Sequence, residues 1–111
     1  MISALEKLLG TPRDGALLRY SLGLEYAKTG DHARAAAYFR DAVEKDAGYS
    51  EAWKALGRSL EAAGRAEEAL EVYARGIEAA SRKGDRQAEK EMTVFRRRLE
   101  KAARTPGKDP R

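Results

Sequence analysis

The chain lacks cysteine altogether and is poor in β-branched residues. Without cysteine it can form no disulfide, no thiolate metal site and no thiol nucleophile, and a reducing compartment is the expected environment. No apolar run approaches the roughly 18 residues that a membrane-spanning helix needs. Glu6 and Lys7 interrupt the N-terminal segment where a signal peptide would need an unbroken apolar stretch. We therefore predict a cytoplasmic protein that is neither secreted nor inserted in a membrane.

Groups suited to catalysis are also scarce. His32 is the single histidine, and nothing beside it supplies a nucleophile or further metal ligands at a useful spacing. The glycines are dispersed and form neither a phosphate-binding loop nor a dinucleotide fingerprint. The many carboxylates stand in charged, helix-favouring segments, where solvent-facing side chains are expected. We predict no enzyme, no catalytic residue, no cofactor, no metal and no small-molecule substrate.

Alanine and charge are what the chain has in abundance. Charged residues make up 36% of its 111 residues, and alanine is the strongest helix former. This composition predicts a single all-α domain with solvated outer helix faces and little or no sheet. The net charge of +4 is unevenly distributed, because residues 96–111 hold seven basic and two acidic side chains, a local +5 that leaves −1 for the rest.

An internal repeat organises the middle of the chain. When residues 16–49 are aligned with residues 50–83, the period is 34 residues without a gap. The coinciding positions are Leu22-Gly23 with Leu56-Gly57, Gly30 with Gly64, Ala35 with Ala69, Phe39 with Tyr73, and Val43 with Ile77. Apolar residues recur at helical spacing on both sides of the central glycine, so each copy is predicted to be a hairpin of two helices.

Small residues and caps add detail to these hairpins. Gly23 and Ala35 are interpreted as points where the paired helices approach closely, since larger side chains would push the backbones apart. Asp31 and Ser50 are predicted N-caps, because each offers a side-chain oxygen to the unpaired amides of the following helix.

The repeat resembles the tetratricopeptide repeat, whose signature is W-x2-L-G-x2-Y, then A-x3-F, then P. The matching residues are Trp53, Leu56, Gly57, Ala69 and Tyr73 in the second copy, and Leu22, Gly23, Tyr26, Ala35 and Phe39 in the first. Arg19, Leu60, Ala47 and Ser81 depart from the signature. The resemblance implies an α–α superhelix of two helix-turn-helix repeats that acts as a protein-binding scaffold or adaptor.

Amphipathic segments flank the repeats. Ile2, Leu5, Leu8 and Leu9 form an apolar stripe that predicts a leader helix over residues 3–9, and Ala88, Met92, Phe95 and Leu99 predict a capping helix over residues 85–103. Two repeats are fewer than the three or so usually needed for stability, so both flanks are expected to complete one domain over residues 1–104. Residues 105–111 are expected to be a disordered tail.

The resemblance also implies where a partner binds. In this family the first helices of successive repeats line a concave groove, and by register that groove would present Leu17, Tyr20, Leu24, Lys28, Glu51, Lys54, Arg58 and Glu61. Tyr20 is the expected anchor, whereas Lys54 and Arg58 favour acidic side chains or a terminal carboxylate. Two explanations of the apolar part stay open: a protein or peptide ligand covers it, or the N-terminal helix folds across it.

The same residues bear on two alternatives to an ordinary peptide ligand. A subset of the family clamps the C-terminal carboxylate of chaperone tails with polar donors, and Tyr20 and Leu24 stand where such donors would be needed, which argues against that ligand. The alternative function is a self-associating structural module, in which the groove or the capping helix closes a homodimer. No motif in the sequence specifies which protein the partner is.

A basic stripe runs along the predicted last helix, formed by Arg86, Lys90, Arg97, Lys101 and Arg104. Such a stripe can contact a phosphate backbone. However, Asp85, Glu89, Glu91 and Glu100 interrupt it, and no aromatic residue interleaves it for stacking on bases. We therefore favour a solvated capping face over a nucleic-acid contact.

Overall fold

The computed structural model describes residues 1–104, and these residues form six α-helices and no strand. The helices are α1 (Ile2–Glu6), α2 (Ala16–Lys28), α3 (His32–Lys45), α4 (Ser50–Ala62), α5 (Ala66–Lys83) and α6 (Arg86–Arg104). Each helix packs against the next one along the chain, and α6 also packs against α4. The predicted all-α fold is confirmed. The predicted disordered tail, residues 105–111, lies outside the described residues.

The two hairpins, α2–α3 and α4–α5, turn at equivalent glycines. Gly30 has φ = 84° and Gly64 has φ = 78°, a left-handed conformation that glycine adopts without a Cβ penalty. Asp31 then caps α3 by accepting a hydrogen bond from the Arg34 amide at 3.2 Å, which confirms that predicted cap.

The predicted cap at Ser50 is wrong. Tyr49 is the N-cap residue of α4 and makes no side-chain capping bond, while Ser50 is the first helical residue. The Ser50 hydroxyl instead donates to the carboxylate of Asp85 at 2.5 Å. Asp85 stands immediately before α6 and also accepts the Ala88 amide, so it caps α6 and joins that helix to the start of α4.

The core lies between the hairpins and continues on to α6. Its largest fully buried apolar side chains are those of Leu22, Phe39, Leu56, Leu60, Tyr73 and Met92. Close helix approach depends on glycine in both repeats: a Cβ at Gly23 would lie 2.4 Å from the Phe39 ring, and a Cβ at Gly57 would lie 2.2 Å from the Tyr73 ring. The packing role inferred for Gly23 is confirmed.

The leader helix is shorter than the predicted span of residues 3–9. After Glu6 the amides of Leu8 and Leu9 bond three residues back, to Leu5 and Glu6, so the helix tightens into turns. The turn ends at Gly10, whose φ is 77° and whose amide donates to Asp14 at 2.9 Å. The bond to Asp14, which lies eight residues after the end of α1, turns the chain towards α2.

Helix α6 packs as the first helix of a further repeat would. In α4, Ala52 and Leu56 are fully buried at the third and seventh positions after the cap, and in α6 Ala88 and Met92 are fully buried at the same two positions. This correspondence has an offset of 36 residues instead of 34, because α5 is longer than α3 (18 residues against 14) while the connection that follows α5 is two residues shorter than the one that follows α3.

Candidate binding surface

The exposed sides of α2, α4 and α6 form one surface, which we call the groove face. Its members are Leu17, Tyr20, Leu24 and Lys28 on α2, Glu51, Lys54, Arg58 and Glu61 on α4, and Lys90, Glu91, Val94, Phe95 and Arg98 on α6. The sides of α4 and α6 meet directly, since the Lys54 ammonium lies 2.6 Å from Glu91. The α2 side adjoins α4, because the Tyr20 ring lies 5.0 Å from the ring of Tyr49, the N-cap residue of α4.

The α2 part of the groove face is apolar and largely open. Leu17 is 69% exposed and Leu24 is 39% exposed. Between them Tyr20 is partly buried, with its ring 5.6 Å from that of Phe39 and 5.0 Å from that of Tyr49. Burial raises the pKa of Tyr20, and the Glu51 carboxylate raises it further. Tyr20 is therefore held in place by aromatic neighbours and presents only part of its ring to a ligand.

The N-terminal segment does not cover these leucines. Glu6 accepts a hydrogen bond from the Tyr26 hydroxyl at 2.7 Å and a longer one from the Tyr38 hydroxyl at 3.4 Å. The rings of Tyr26 and Tyr38 stack at 5.6 Å, so α1 is attached where α2 meets α3. The explanation in which the N-terminal helix folds across Leu17 and Leu24 is wrong, because both side chains stay exposed.

Lys54, predicted to attract an acidic ligand, already has two carboxylates around it. Its ammonium lies 2.6 Å from Glu91 and 3.0 Å from Glu51. Burial lowers the pKa of Lys54, but the hydrogen bonds that its ammonium donates to Glu91 and Glu51 outweigh burial, so its pKa is raised. The same ammonium lowers the pKa of Glu91. Lys54 thus ties α4 to α6 and its charge is compensated within the fold.

Arg58 and Glu61 are also engaged by neighbours. The Arg58 guanidinium lies over the Phe95 ring, 4.2 Å from its centroid, and 3.8 Å from Glu61. Glu61 accepts a hydrogen bond from the Tyr73 hydroxyl at 2.5 Å, and burial together with this bond raises the pKa of Tyr73. Arg58 remains exposed on its outer side, so it can still meet a ligand.

Helix α6 also contributes to the groove face, which was not predicted from the sequence. Val94 is 42% exposed, and a shallow depression of about 260 Å³ is lined by Lys90, Glu91, Val94, Phe95 and Arg98. The signal was present in the sequence, since Ala88 and Met92 repeat the spacing of Ala52 and Leu56. An alignment at a strict period of 34 residues does not detect this correspondence between α4 and α6, because its offset is 36 residues.

The predicted basic stripe lies on the exposed side of α6. Arg86, Lys90 and Arg97 line a second shallow depression of about 420 Å³ together with Glu89, Thr93 and Val94. Lys101 and Arg104 lie further along the same helix and are exposed. The two depressions have Lys90 and Val94 in common, so the stripe and the groove face adjoin on this helix.

Neither metal ligands nor membrane-spanning segments are found in the described part of the chain. Within residues 1–104 no three histidine, aspartate or glutamate side chains are grouped so that they could hold a metal ion. None of the helices in this part is long and apolar enough to cross a membrane. His32 is partly exposed at the start of α3.

Similar proteins share the repeat over most of the chain. Residues 3–84 match the family model described as tetratricopeptide repeat. A TPR repeat-containing protein of Pseudomonas aeruginosa is 47% identical over 102 residues, which are 92% of this chain and 97% of that protein. The solution structure of a protein from Bordetella parapertussis is 38% identical, with a TM-score of 0.78 over 91% of this chain and 88% of that one. The Sgt2 TPR domain from Aspergillus fumigatus is 25% identical, with a TM-score of 0.81 over 99% and 72%.

Proposed function

The chain belongs to the tetratricopeptide-repeat family, whose members are non-enzymatic scaffolds that mediate protein–protein interactions, and from this premise we propose that it binds a segment of a partner protein on the groove face. The segment would cross the exposed sides of α2, α4 and α6. In this role the protein is an adaptor that holds its partner without changing it chemically.

The observation that carries this proposal is the exposure of Leu17 and Leu24. Both lie on the same side of α2, next to the partly buried Tyr20, and no other helix of the described chain covers them. Neighbouring apolar side chains left open in this way are typical of contact sites. Covering them removes apolar surface from water, which favours a complex.

A peptide selection with two double variants tests this proposal. Random peptides of about twelve residues, which reach about 40 Å when extended, are selected on the immobilised protein, and their affinities are measured by fluorescence anisotropy. Leu17→Glu with Leu24→Glu is expected to weaken the selected peptides at least about tenfold, because two desolvated contacts are replaced by charges.

The matched control places the same new charges elsewhere. Ala37→Glu with Ala74→Glu adds two carboxylates at exposed positions of α3 and α5, away from the groove face. This control is expected to keep the affinity of the unchanged protein. Equal losses in both double variants, with helical circular dichroism unchanged, would show that the leucines do not form the binding site.

Light scattering over a range of concentrations tests self-association in the same set of proteins. A stable dimer that Leu17→Glu with Leu24→Glu converts to a monomer would mean that a second copy occupies the groove face. A monomer at all concentrations leaves the face open for a different protein, as proposed.

A further inference from the structure

The positive charges of α6 are compensated differently from those of the other long helices. On α2 to α5 most arginines and lysines have a carboxylate partner, namely Arg19, Lys28, Arg34, Arg40, Lys54, Arg58 and Arg82. On α6 the pair between Arg96 and Glu100 is present at 3.3 Å. Arg86, Lys90, Arg97 and Arg98 form no ion pair with any residue that the structure describes.

The carboxylates of α6 do little to offset these four cations. Glu91 points to α4, where it binds Lys54 at 2.6 Å, and it also accepts a hydrogen bond from Gln87 at 3.0 Å. Glu100 is engaged by Arg96. Glu89 alone among the α6 carboxylates lines the depression of about 420 Å³. The interruption of the basic stripe by acidic residues, evident in the sequence, is thus largely removed by the way the side chains pair.

An exposed apolar side chain lies in the middle of these cations. Val94 is 42% exposed and belongs to both depressions on α6. Lys90 precedes it by four residues, and Arg97 and Arg98 follow it by three and four, so all three lie one helical turn away. We call Val94 with Lys90, Arg97 and Arg98 the Val94 site.

We propose that the Val94 site binds an acidic stretch of the partner protein, in which an apolar side chain covers Val94 and flanking carboxylates meet Lys90, Arg97 and Arg98. The two arginines suit carboxylates because the guanidinium fork pairs with both oxygens. This inference rests on the proposed function, since the acidic stretch belongs to the same segment that covers Leu17 and Leu24.

A protein segment fits this surface better than a nucleic acid does. The centre of the site is apolar, and a phosphate backbone has no apolar group to place against Val94. Glu89 would face the phosphates in the adjoining depression and repel them. The nearest aromatic ring, Phe95, has the Arg58 guanidinium over its face at 4.2 Å, so it is not free to stack on a base.

The helix order also sets the spacing within the partner segment. Helices α2 and α4 are neighbours on this face through the rings of Tyr20 and Tyr49, and α4 packs against α6. At roughly 10 Å for each neighbouring helix, α2 and α6 are on the order of 20 Å apart. An extended chain covers about 3.3 Å per residue. About six residues are therefore expected between the apolar residue of the partner that contacts Leu24 and the apolar residue, flanked by carboxylates, that covers Val94.

The test is a change of peptide preference on charge reversal. Random peptides of about twelve residues are selected on the full chain and on Lys90→Glu with Arg98→Glu. The unchanged protein is expected to enrich acidic residues next to an apolar one, and the reversed variant is expected to enrich basic residues instead. Peptides from the first selection should bind the reversed variant about tenfold more weakly.

Arg13→Glu with Lys45→Glu is the matched control, because it changes the net charge equally at exposed positions outside α6. It is expected to keep both the acidic preference and the affinity. Raising the salt from 0.1 M to 1 M shortens the screening length from about 10 Å to about 3 Å, so the acidic peptides should also bind more weakly at high salt.

The outcomes separate this inference from the proposed function. If selected peptides depend on Leu17 and Leu24 but show no acidic preference, the groove face binds a partner and the Val94 site does not select carboxylates. If no peptide depends on either surface, both proposals fail. If duplex DNA or single-stranded RNA binds, loses affinity in the reversed variant and is not displaced by acidic peptides, the α6 cations contact phosphates and the inference is overturned.

Discussion

At position 19 an arginine occupies the place that Trp53 holds in the second repeat. Arg19 binds Asp14 at 2.8 Å and Asp41 at 2.9 Å, whereas the Trp53 ring is covered by the guanidinium of Arg75 at 5.0 Å. Asp41 and Arg75 are equivalent positions, 34 residues apart. The departure from the family signature at Arg19 is therefore matched by a reversed charge on the facing helix, which keeps the two helices joined in each repeat.

Single glycines control how closely the helices of a hairpin approach. We expect Gly57→Ala to lower the free energy of unfolding by about 1–3 kcal/mol, the usual cost of forcing an extra carbon into a packed core. The added Cβ would lie 2.2 Å from the fully buried Tyr73 ring, which cannot move aside without losing its bond to Glu61. Urea unfolding followed by circular dichroism measures the change.

Gly48→Ala is the control for this prediction. The nearest atom to a Cβ at Gly48 is 3.6 Å away, an ordinary van der Waals contact. Its free energy of unfolding is expected to stay within about 0.5 kcal/mol of the unchanged protein. A similar loss in both variants would mean that backbone effects, and not the contact with Tyr73, decide the stability at position 57.

At the scale of the helix, α6 has two sides with different tasks. Ala88 and Met92 are fully buried and close the core, whereas Val94 is 42% exposed beside them in sequence. Met92 packs into the space left by Gly76, where a Cβ would lie 2.6 Å from its sulfur. One helix thus completes the domain and also carries part of the groove face.

The two sides predict opposite results for neighbouring substitutions. Met92→Ala is expected to lower the free energy of unfolding by about 2–5 kcal/mol, because it opens a cavity in the core. Val94→Ala is expected to change it by less than about 0.5 kcal/mol and to weaken acidic peptides, because Val94 belongs to the surface. Urea unfolding and peptide anisotropy on the same samples check both results, and a large stability loss for Val94→Ala would contradict the division.

The leader shows where a helix-scale prediction falls short. The apolar stripe formed by Ile2, Leu5, Leu8 and Leu9 continues past the end of α1 at Glu6, because Leu8 and Leu9 pack against the core from a turn. Helical spacing in a stretch this short is satisfied by a turn as well as by a helix. The bonds that set the end, such as that from the Gly10 amide to Asp14, involve a residue outside the stripe.

At the scale of the whole molecule, ionised carboxylates connect separate elements. Asp85 joins the start of α6 to Ser50 of α4, and Glu91 joins α6 to Lys54 of α4. The Ser50 hydroxyl, followed by the Ala88 amide, lowers the pKa of Asp85, and the Lys54 ammonium lowers that of Glu91. Asp14, bound by Arg19, also has a pKa below its ordinary value.

These shifts predict a loss of stability in acid. A carboxyl group whose pKa is lower in the folded state binds fewer protons there than in the unfolded chain, so it stabilises the fold above the unfolded pKa near 4. That contribution disappears as the pH falls through the folded pKa. The free energy of unfolding of the whole protein is therefore expected to decrease steadily from about pH 5 downwards, measured by urea unfolding at a series of pH values.

Glu91→Gln isolates one of these links. The glutamine side chain cannot ionise, so the free energy of unfolding of this variant should differ less between about pH 7 and pH 3 than that of the unchanged protein. Glu44→Gln is the control, because Glu44 is exposed and has no ion pair among the described residues. An unchanged pH dependence in Glu91→Gln would mean that the bond to Lys54 contributes nothing to folding.

Much of the architecture could be predicted from the sequence. The 34-residue period, the glycines at the hairpin turns and the apolar spacing indicated the fold, since each acts over a few residues or recurs at a fixed distance. The cap at Ser50 was predicted incorrectly, because the side chain of Asp85, 35 residues away, competes for the Ser50 hydroxyl. The roles of Lys54 and Arg58 could not be predicted for the same reason, as Glu91 and Phe95, which engage them from another helix, lie on α6.

The sequence by itself determined that the chain is a helical repeat with an apolar part on α2 and a basic last helix. Periodicity and composition are properties of the sequence itself, so they can be determined without the folded structure. The tertiary structure decided that Leu17 and Leu24 stay open and that Lys54 is compensated by Glu91. It also decided that Val94 is surrounded by cations that form no ion pair within residues 1–104. Exposure and charge pairing depend on which distant side chains meet, and that is fixed only when the helices pack.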